Sequence, residues 1–334
     1  MEKTLNRNYK FCMKRFCRTH INKDMKKKEV KLMLDLSKLT TESRNPDTIA
    51  LDEMTPLEIA RTMNQEDEKV VKAVKEVLPE IATAIQWATE SLEAGGRIIY
   101  LGAGTSGRLG VLDAVECPPT FGVDPSRVVG LIAGGEGAFI KAVEGAEDSR
   151  TLCEEDLKKL GLTSKDIVIG LAASGRTPYV IYGLKYAASV GCKTVGIACN
   201  KGSEVGRQAR LAIEPQPGPE VLTGSTRLKA GTCQKMVLNM ISTGSMVGVG
   251  KAYENLMVDV KQSNEKLVVR AQNITMTATG CTREEAEEAL KQAKGHVKTA
   301  ITMLLLHCSA SEAASKLEAA HGKIREALKT STLK

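Results

Sequence analysis

The stretch Arg97-Ile98-Ile99-Tyr100-Leu101-Gly102-Ala103-Gly104-Thr105-Ser106-Gly107-Arg108 joins an apolar run to a glycine-rich turn. An apolar run without polar alternation predicts a strand buried on both faces. A turn that leads at once into helical text is the strand-to-helix joint of a βα unit. The same grammar recurs along the chain. Val128–Ala133 (VVGLIA), Ile167–Ala172 (IVIGLA), Thr194–Cys199 (TVGIAC) and Leu211–Glu214 (LAIE) alternate with helix-length segments. The fold class read from this is α/β: a doubly wound sheet of about five parallel strands with right-handed crossovers. In a flavodoxin-like order, 2-1-3-4-5, strands one and three flank the switch point where ligands bind.

The first turn matches GxGxxG, the dinucleotide fingerprint, but two features argue against that use. The turn carries hydroxyls (Thr105, Ser106) and a cation (Arg108), and the second strand ends in Gly134-Gly135 where a ribose-binding acid is expected. The turn after the third strand decides between readings. It runs Ala172-Ala173-Ser174-Gly175-Arg176-Thr177 and repeats the Ser-Gly-Arg triplet in the same context. A tight turn needs glycine but has no need of repeated Ser, Thr and Arg. Backbone N–H groups at a helix N-terminus with added hydroxyls suit a phosphate monoester. Ser106, Ser174 and Thr177 are the phosphate candidates, supported by Thr105, Arg108 and Arg176. A third segment, 223–232, has the same content before a helix and adds Ser225, Arg227 and Lys229 as weaker candidates. No GxxxxGK[ST] P-loop occurs, which disfavours nucleotide hydrolysis.

The 334 residues are 42% apolar and 26% charged, the profile of a globular protein with a substantial core. No apolar run approaches the ~18–20 residues of a membrane span. The formal charge of +7 is local: residues 1–35 hold 11 Lys/Arg against 4 Asp/Glu, and the rest carries 36 of each. The body thus gives no electrostatic case for nucleic acid. Nine cysteines, an odd number without a CxxC pair, predict neither a disulfide framework nor a zinc site, and a cytoplasmic setting is expected. No histidine lies between residues 21 and 295, so Ser-His-Asp and Cys-His schemes are disfavoured for the middle of the chain.

The expected organisation is a basic, disordered N-terminal extension (1–32), an N-terminal helical segment (33–87), the α/β domain (88–251) and a C-terminal helical module (252–334). Helical apolar spacing covers 55–65 and 68–93, and residues 229–250 read as a further core helix. Thr282 with Glu285 forms a capping-box signal for a helix over Arg283–Lys294, followed by Lys298–Cys308 and Ser311–Ala320.

Leu101–Gly122 (LGAGTSGRLGVLDAVECPPTFG) closely resembles the signature of the N-acetylmuramic acid 6-phosphate etherase family. Leu39–Asn45 (LTTESRN), Ala142–Arg150 (AVEGAEDSR), Ala172–Val180 (AASGRTPYV) and Leu256–Lys266 (LMVDVKQSNEK) resemble it too. The resemblance runs from about Met33 to about residue 330. It implies a sugar isomerase (SIS) domain over 88–251 and a homodimer that works without metal or organic cofactor. The implied reaction removes the D-lactyl ether from C3 of N-acetylmuramic acid 6-phosphate, giving N-acetylglucosamine 6-phosphate and D-lactate in cell-wall sugar recycling. Ring opening makes the C2 proton acidic; a base removes it while an acid protonates the departing lactate oxygen, and water then adds back. The family pattern places these roles on Glu116 and Glu147, read as acid and base in an order the resemblance does not fix.

Each glutamate follows its strand end by about twelve residues, or about 18 Å if the intervening chain is continuous helix. Either the helices are interrupted, as Pro118-Pro119 hints, or a second subunit completes the site; the second is expected for at least one of the two glutamates. Two other readings remain: a non-catalytic phosphosugar sensor resembling glucokinase regulatory protein, and an aldose–ketose phosphosugar isomerase. The acid–base pair favours the enzyme. A DNA-binding regulator lacks an N-terminal recognition module, and neither a nucleic-acid nor a membrane partner is expected.

Overall fold

The computed structural model describes residues 39–260, 262 and 264–332. The basic extension expected over 1–32 lies outside the described residues. The chain from Leu39 onward forms one unit. It opens with short 3-10 turns and then two helices, α1 (Pro56–Lys75) and α2 (Leu78–Glu93). The α/β part follows as β1 (Ile98–Gly102), α3 (Gly104–Phe121), β2 (Val128–Ile132), α4 (Leu152–Lys159), β3 (Ile167–Leu171) and α5 (Pro178–Val190). It continues through β4 (Lys193–Ile197), α6 (Glu204–Gln208), β5 (Leu211–Ile213) and α7 (Lys229–Gly248). A small antiparallel pair, β6 (Ala252–Tyr253) and β7 (Leu256–Met257), leads to α8 (Glu265–Thr279), α9 (Arg283–Gln292), α10 (Val297–Leu306), α11 (Ala310–Ala319) and α12 (Ile324–Thr332).

The five main strands are parallel in the order β2-β1-β3-β4-β5, as the apolar runs predict. Side-chain alternation along β1 separates two cores. Ile98 and Tyr100 face α1, α2, α3 and α7, whereas Ile99 and Leu101 face α4, α5 and α6. The strands are buried on both sides, so none shows polar alternation. The C-terminal helices carry a separate core around Ala300, Ile301 and Ala313.

Two helix boundaries differ from the sequence reading. The expected break near residue 66 falls instead at residues 76–77, because α1 runs unbroken through Glu66. Glu66 is polar in the sequence but only 3% exposed, paired to Lys229. Its helix therefore has a buried face that hydrophobic spacing alone under-reports. Helices α8 and α12 are additional to those expected. The capping box of α9 is present, with Thr282 and Glu285 exchanging bonds.

Candidate active site

Strands β1 and β3 are neighbours, and Gly102 is the register partner of Leu171. The two hydroxylated turns therefore leave the sheet side by side, roughly 4.8 Å apart at their roots. The first enters α3 at Gly104, so the orphan N–H groups of that helix point into the crevice. Close approach sets the residue at 107. A Cβ there would lie 2.6 Å from Ile132 Cγ1 and 2.8 Å from the Gly102 carbonyl oxygen. Ser106 is buried, and its hydroxyl donates to Gln234 Oε1 at 2.8 Å. Thr105 is half-buried against the first turn of α7, where a Cβ on Gly231 would lie 3.5 Å from its methyl group.

The second turn puts Thr177 at the N-cap of α5, with its hydroxyl making no capping bond. Ser174, Arg176 and Thr177 are all half-buried. Gly175 has φ +75°, and a Cβ on it would meet Ser203 Cβ at 2.3 Å, so only glycine fits. Asn200, at the carboxyl end of β4, fastens this turn. Its amide donates to the carbonyls of Ala173 (3.4 Å) and Ser174 (3.3 Å) and to the Thr41 hydroxyl (2.9 Å). The segment around Thr41 is thereby tied to Asn200 and, through it, to the second turn. Arg176 Nε lies 3.5 Å from Glu204 Oε1.

The third segment divides. Ser225 is half-buried and Arg227 exposed, whereas Lys229 is fully buried. Its ammonium lies 2.5 Å from Glu66 Oε2, so Lys229 is an internal counter-ion and not a group open to substrate. Burial alone would raise the Glu66 carboxyl, but bonds from Lys229, Lys69 and Asn45 overcome it and hold the group at about 2. The neighbouring Glu220 accepts the backbone N–H groups of Lys229 and Ala230, both at 2.9 Å. The first turn of α7 is thus capped from within.

The two glutamates are placed differently. Continuous helix does not separate Glu147 from the loops, because Gly134 (φ +92°), Gly135 (φ +77°) and Gly145 (φ +75°) turn the chain back on itself. Glu147 lies exposed in a 3-10 turn, Ala146–Asp148. It lines a cavity of about 180 Å³ together with Ala103, Gly104 and Arg108, beside the first glycine-rich loop of its own chain. The Arg108 guanidinium braces an earlier 3-10 turn, Glu136–Phe139, donating to the carbonyls of Phe139 (2.7 Å) and Ala138 (3.0 Å). Glu116 instead lies on α3, which runs unbroken from Gly104 to Phe121 with Pro118 and Pro119 in its last turns. The interruption those prolines hinted at does not occur. Glu116 is exposed about 18 Å along the helix from the loop, on a face it shares with the exposed Leu112 and Val115.

Asp113, one turn earlier on α3, is structural. It accepts from the Tyr100 hydroxyl (2.8 Å), Asn239 (2.8 Å) and the Ser242 hydroxyl (3.0 Å). Burial raises its carboxyl and these bonds only partly offset the rise. Contact with Cys233, with burial added, raises the Cys199 thiol well above its ordinary range. Cys199 is accordingly no thiolate nucleophile. Among the described residues no cluster of three His, Cys, Asp or Glu could hold a metal ion, and no helix is long and apolar enough to cross a membrane. Sequence reasoning missed Asn200 and Gln234. The carboxyl-end position after β4 marks Asn200 for any doubly wound sheet; Gln234 sits mid-helix without a local signal.

Comparison with known proteins bears on what this arrangement does. Residues 80–188 match the family model of the glucokinase regulatory protein N-terminal SIS domain, and residues 155–244 match the SIS domain. A relative from Cronobacter sakazakii, named N-acetylmuramic acid 6-phosphate etherase, is 61% identical over 271 residues, 81% of this chain and 91% of that protein. Relatives of the same name from Pectobacterium atrosepticum (61% identical, 81% of this chain, 89% of that one) and Bacillus mycoides (59%, 80% and 92%) are similar to it as well.

Proposed function

The chain belongs to the N-acetylmuramic acid 6-phosphate etherase family, and from that premise we propose how its crevice performs the carbon–oxygen lyase reaction of that family. The protein cleaves the D-lactyl ether of N-acetylmuramic acid 6-phosphate to N-acetylglucosamine 6-phosphate and D-lactate. The twin turns hold the 6-phosphate, with Ser106, Ser174 and Thr177 donating hydroxyls and Thr105 in support. The N-terminus of α3 adds backbone N–H groups and the positive end of its dipole. The observation that carries this reading is the pairing of Gly102 with Leu171, which sets both turns at one switch point.

With the phosphate anchored, the sugar is bound in its ring-opened aldehyde form. Glu147, beside the first loop, removes the C2 proton. The C3–oxygen bond breaks, and Glu116 delivers a proton to the departing lactate oxygen. The resulting unsaturated aldehyde takes up water, with hydroxide to C3 and a proton to C2, so the net change is hydrolysis of the ether. Arg108 holds the 3-10 turn Glu136–Phe139, on the path from β2 to Glu147. Ser225 and Arg227 are weaker contacts to the sugar phosphate, and Lys229 acts only as the partner of Glu66.

Glu116 is too far along a straight helix to serve the loops of its own chain. We assign it to the crevice of a second subunit in a homodimer, with Leu112 and Val115 forming part of the apolar contact. Work in cell-wall sugar recycling and a cytoplasmic location follow from this substrate.

The test is D-lactate release from N-acetylmuramic acid with and without its 6-phosphate. Lactate from the phosphorylated sugar, with little from the other, is expected. Tight binding without lactate supports the regulator that the glucokinase regulatory protein match brings to mind. Interconversion of aldose and ketose phosphates supports the isomerase.

A further inference from the structure

Gln234 is 0% exposed on α7, and its amide nitrogen has no hydrogen-bond partner among the described residues. Its amide oxygen accepts the Ser106 hydroxyl at 2.8 Å. A buried donor without an acceptor costs about 1–3 kcal/mol, and orphan N–H groups are rarer than under-satisfied carbonyls. Apolar side chains line the same stretch of α7, with Cys233, Val237 and Leu238 all buried beside it. A leucine or methionine would fill that space without the cost.

The polarity of the Ser106 bond gives the unpartnered nitrogen a use. A serine hydroxyl has one proton. While that proton goes to Gln234 Oε1, Ser106 can offer an anion in the crevice only lone pairs, which repel it. The two ends of a carboxamide have nearly the same shape, so a half-turn puts nitrogen where oxygen was. Gln234 then donates to Ser106 Oγ, and the hydroxyl proton is released toward the crevice. Such a chain, N–H to O–H to anion, is mutually polarised and stronger than separate bonds.

We propose that Gln234 is a positioning residue of the phosphate subsite, whose amide turns as a phosphate monoester arrives and orients the Ser106 hydroxyl to donate to it. The inference rests on the loop assignment made above and deepens it, since it says which group sets the direction of the Ser106 bond.

The test uses the whole protein and two variants of near-equal size. Gln234→Glu can only accept while ionised, so it holds Ser106 in the unproductive direction; Gln234→Met removes both ends of the amide. Two quantities are read: competitive inhibition by inorganic phosphate, and KM against kcat for the phosphorylated muramic sugar. The expected result is a phosphate Ki and a KM raised by ~10- to ~100-fold in Gln234→Glu, the worth of one hydrogen bond to a charged group. The loss falls on KM, and it shrinks as pH is lowered and the new carboxyl gains a proton to donate. Gln234→Met shows a smaller rise and no such pH dependence. An unchanged phosphate Ki in Gln234→Glu overturns the proposal. So does a matched loss in kcat and thermal stability in both variants without pH rescue, which marks a packing role. Inorganic phosphate needs no chemistry to bind. A Gln234-dependent Ki in a protein that releases no lactate, read as inhibition of whatever turnover is found or as thermal protection by phosphate, would leave this inference standing and overturn the etherase mechanism alone.

Discussion

Lys229 Nζ lies 2.5 Å from Glu66 Oε2, with the two side chains 0% and 4% exposed, and this bond ties the N-terminal helix α1 to the first turn of α7. Lys69 and Asn45 complete the carboxylate's shell. A charge pair taken out of water is stable only while both members are present. Lys229 belongs to the segment 223–232 itself, so the pair fixes how that segment enters α7.

Lys229→Met leaves Glu66 buried with fewer partners. The expected loss is about 3–5 kcal/mol in unfolding free energy, read by urea denaturation. The double variant Glu66→Leu/Lys229→Met should recover most of it. A single-variant loss under ~1 kcal/mol contradicts the assignment of Lys229 as a buried counter-ion.

Glu66 also sets a pH dependence. Its folded carboxyl is depressed to about 2 from an ordinary 4.5. A depressed acid stabilises the fold above its unfolded value, and that contribution is lost as pH falls through the folded value. The stability difference between wild type and Glu66→Gln should therefore be flat above about pH 5 and shrink from about pH 4.5 toward pH 2. A difference that grows as pH falls contradicts that sign.

Asp113 binds α3 to β1 and α7 through three donors. Asp113→Ala strands the Tyr100 hydroxyl and the two α7 groups at once. A loss of roughly 2–4 kcal/mol is expected from buried groups left unpaired. Activity should fall with the folded fraction and not beyond it, since Asp113 is assigned no proton transfer; a large fall in kcat in the folded protein contradicts that.

Gly107→Ala places a methyl group 2.6 Å from Ile132 Cγ1 and 2.8 Å from the Gly102 carbonyl, so the first turn of α3 must move off the sheet. The expected consequence is a rise in KM for the phosphorylated sugar of at least about tenfold, with a loss of stability of about 1–3 kcal/mol. Kinetics indistinguishable from wild type would show that the turn does not hold the phosphate.

The strands were legible because burial on both faces leaves uninterrupted apolar runs; each falls within a residue or two of its run. The two loops were legible because hydroxyls repeated after separate strands have no structural excuse, and sheet order made them neighbours. What was hidden depends on distance along the chain. Glu66 and Lys229 are 163 residues apart, so neither could be recognised as half of a pair. Ser106 and Gln234 are 128 apart, and a glutamine inside a helix carries no local mark. The path of residues 134–147 does not follow the continuous helix weighed for it, because positive-φ glycines turn it back and bring Glu147 to the loops that Glu116 cannot reach.

In the proposed mechanism twin loops grip the phosphosugar while Glu147 of one chain and Glu116 of another move its protons. The most direct measurement is D-lactate release by Glu116→Gln, by Glu147→Gln, and by the two variants mixed after dissociation and reassembly. Each variant alone should lose at least ~10²-fold, the scale of one general acid or base. In the mixture half the dimers pair unlike chains, and each such dimer has one crevice with both glutamates intact, so activity should return to about a quarter of wild type. Variants that keep near-full activity contradict the assignment of the glutamates, and a mixture as inactive as its parts contradicts the shared site.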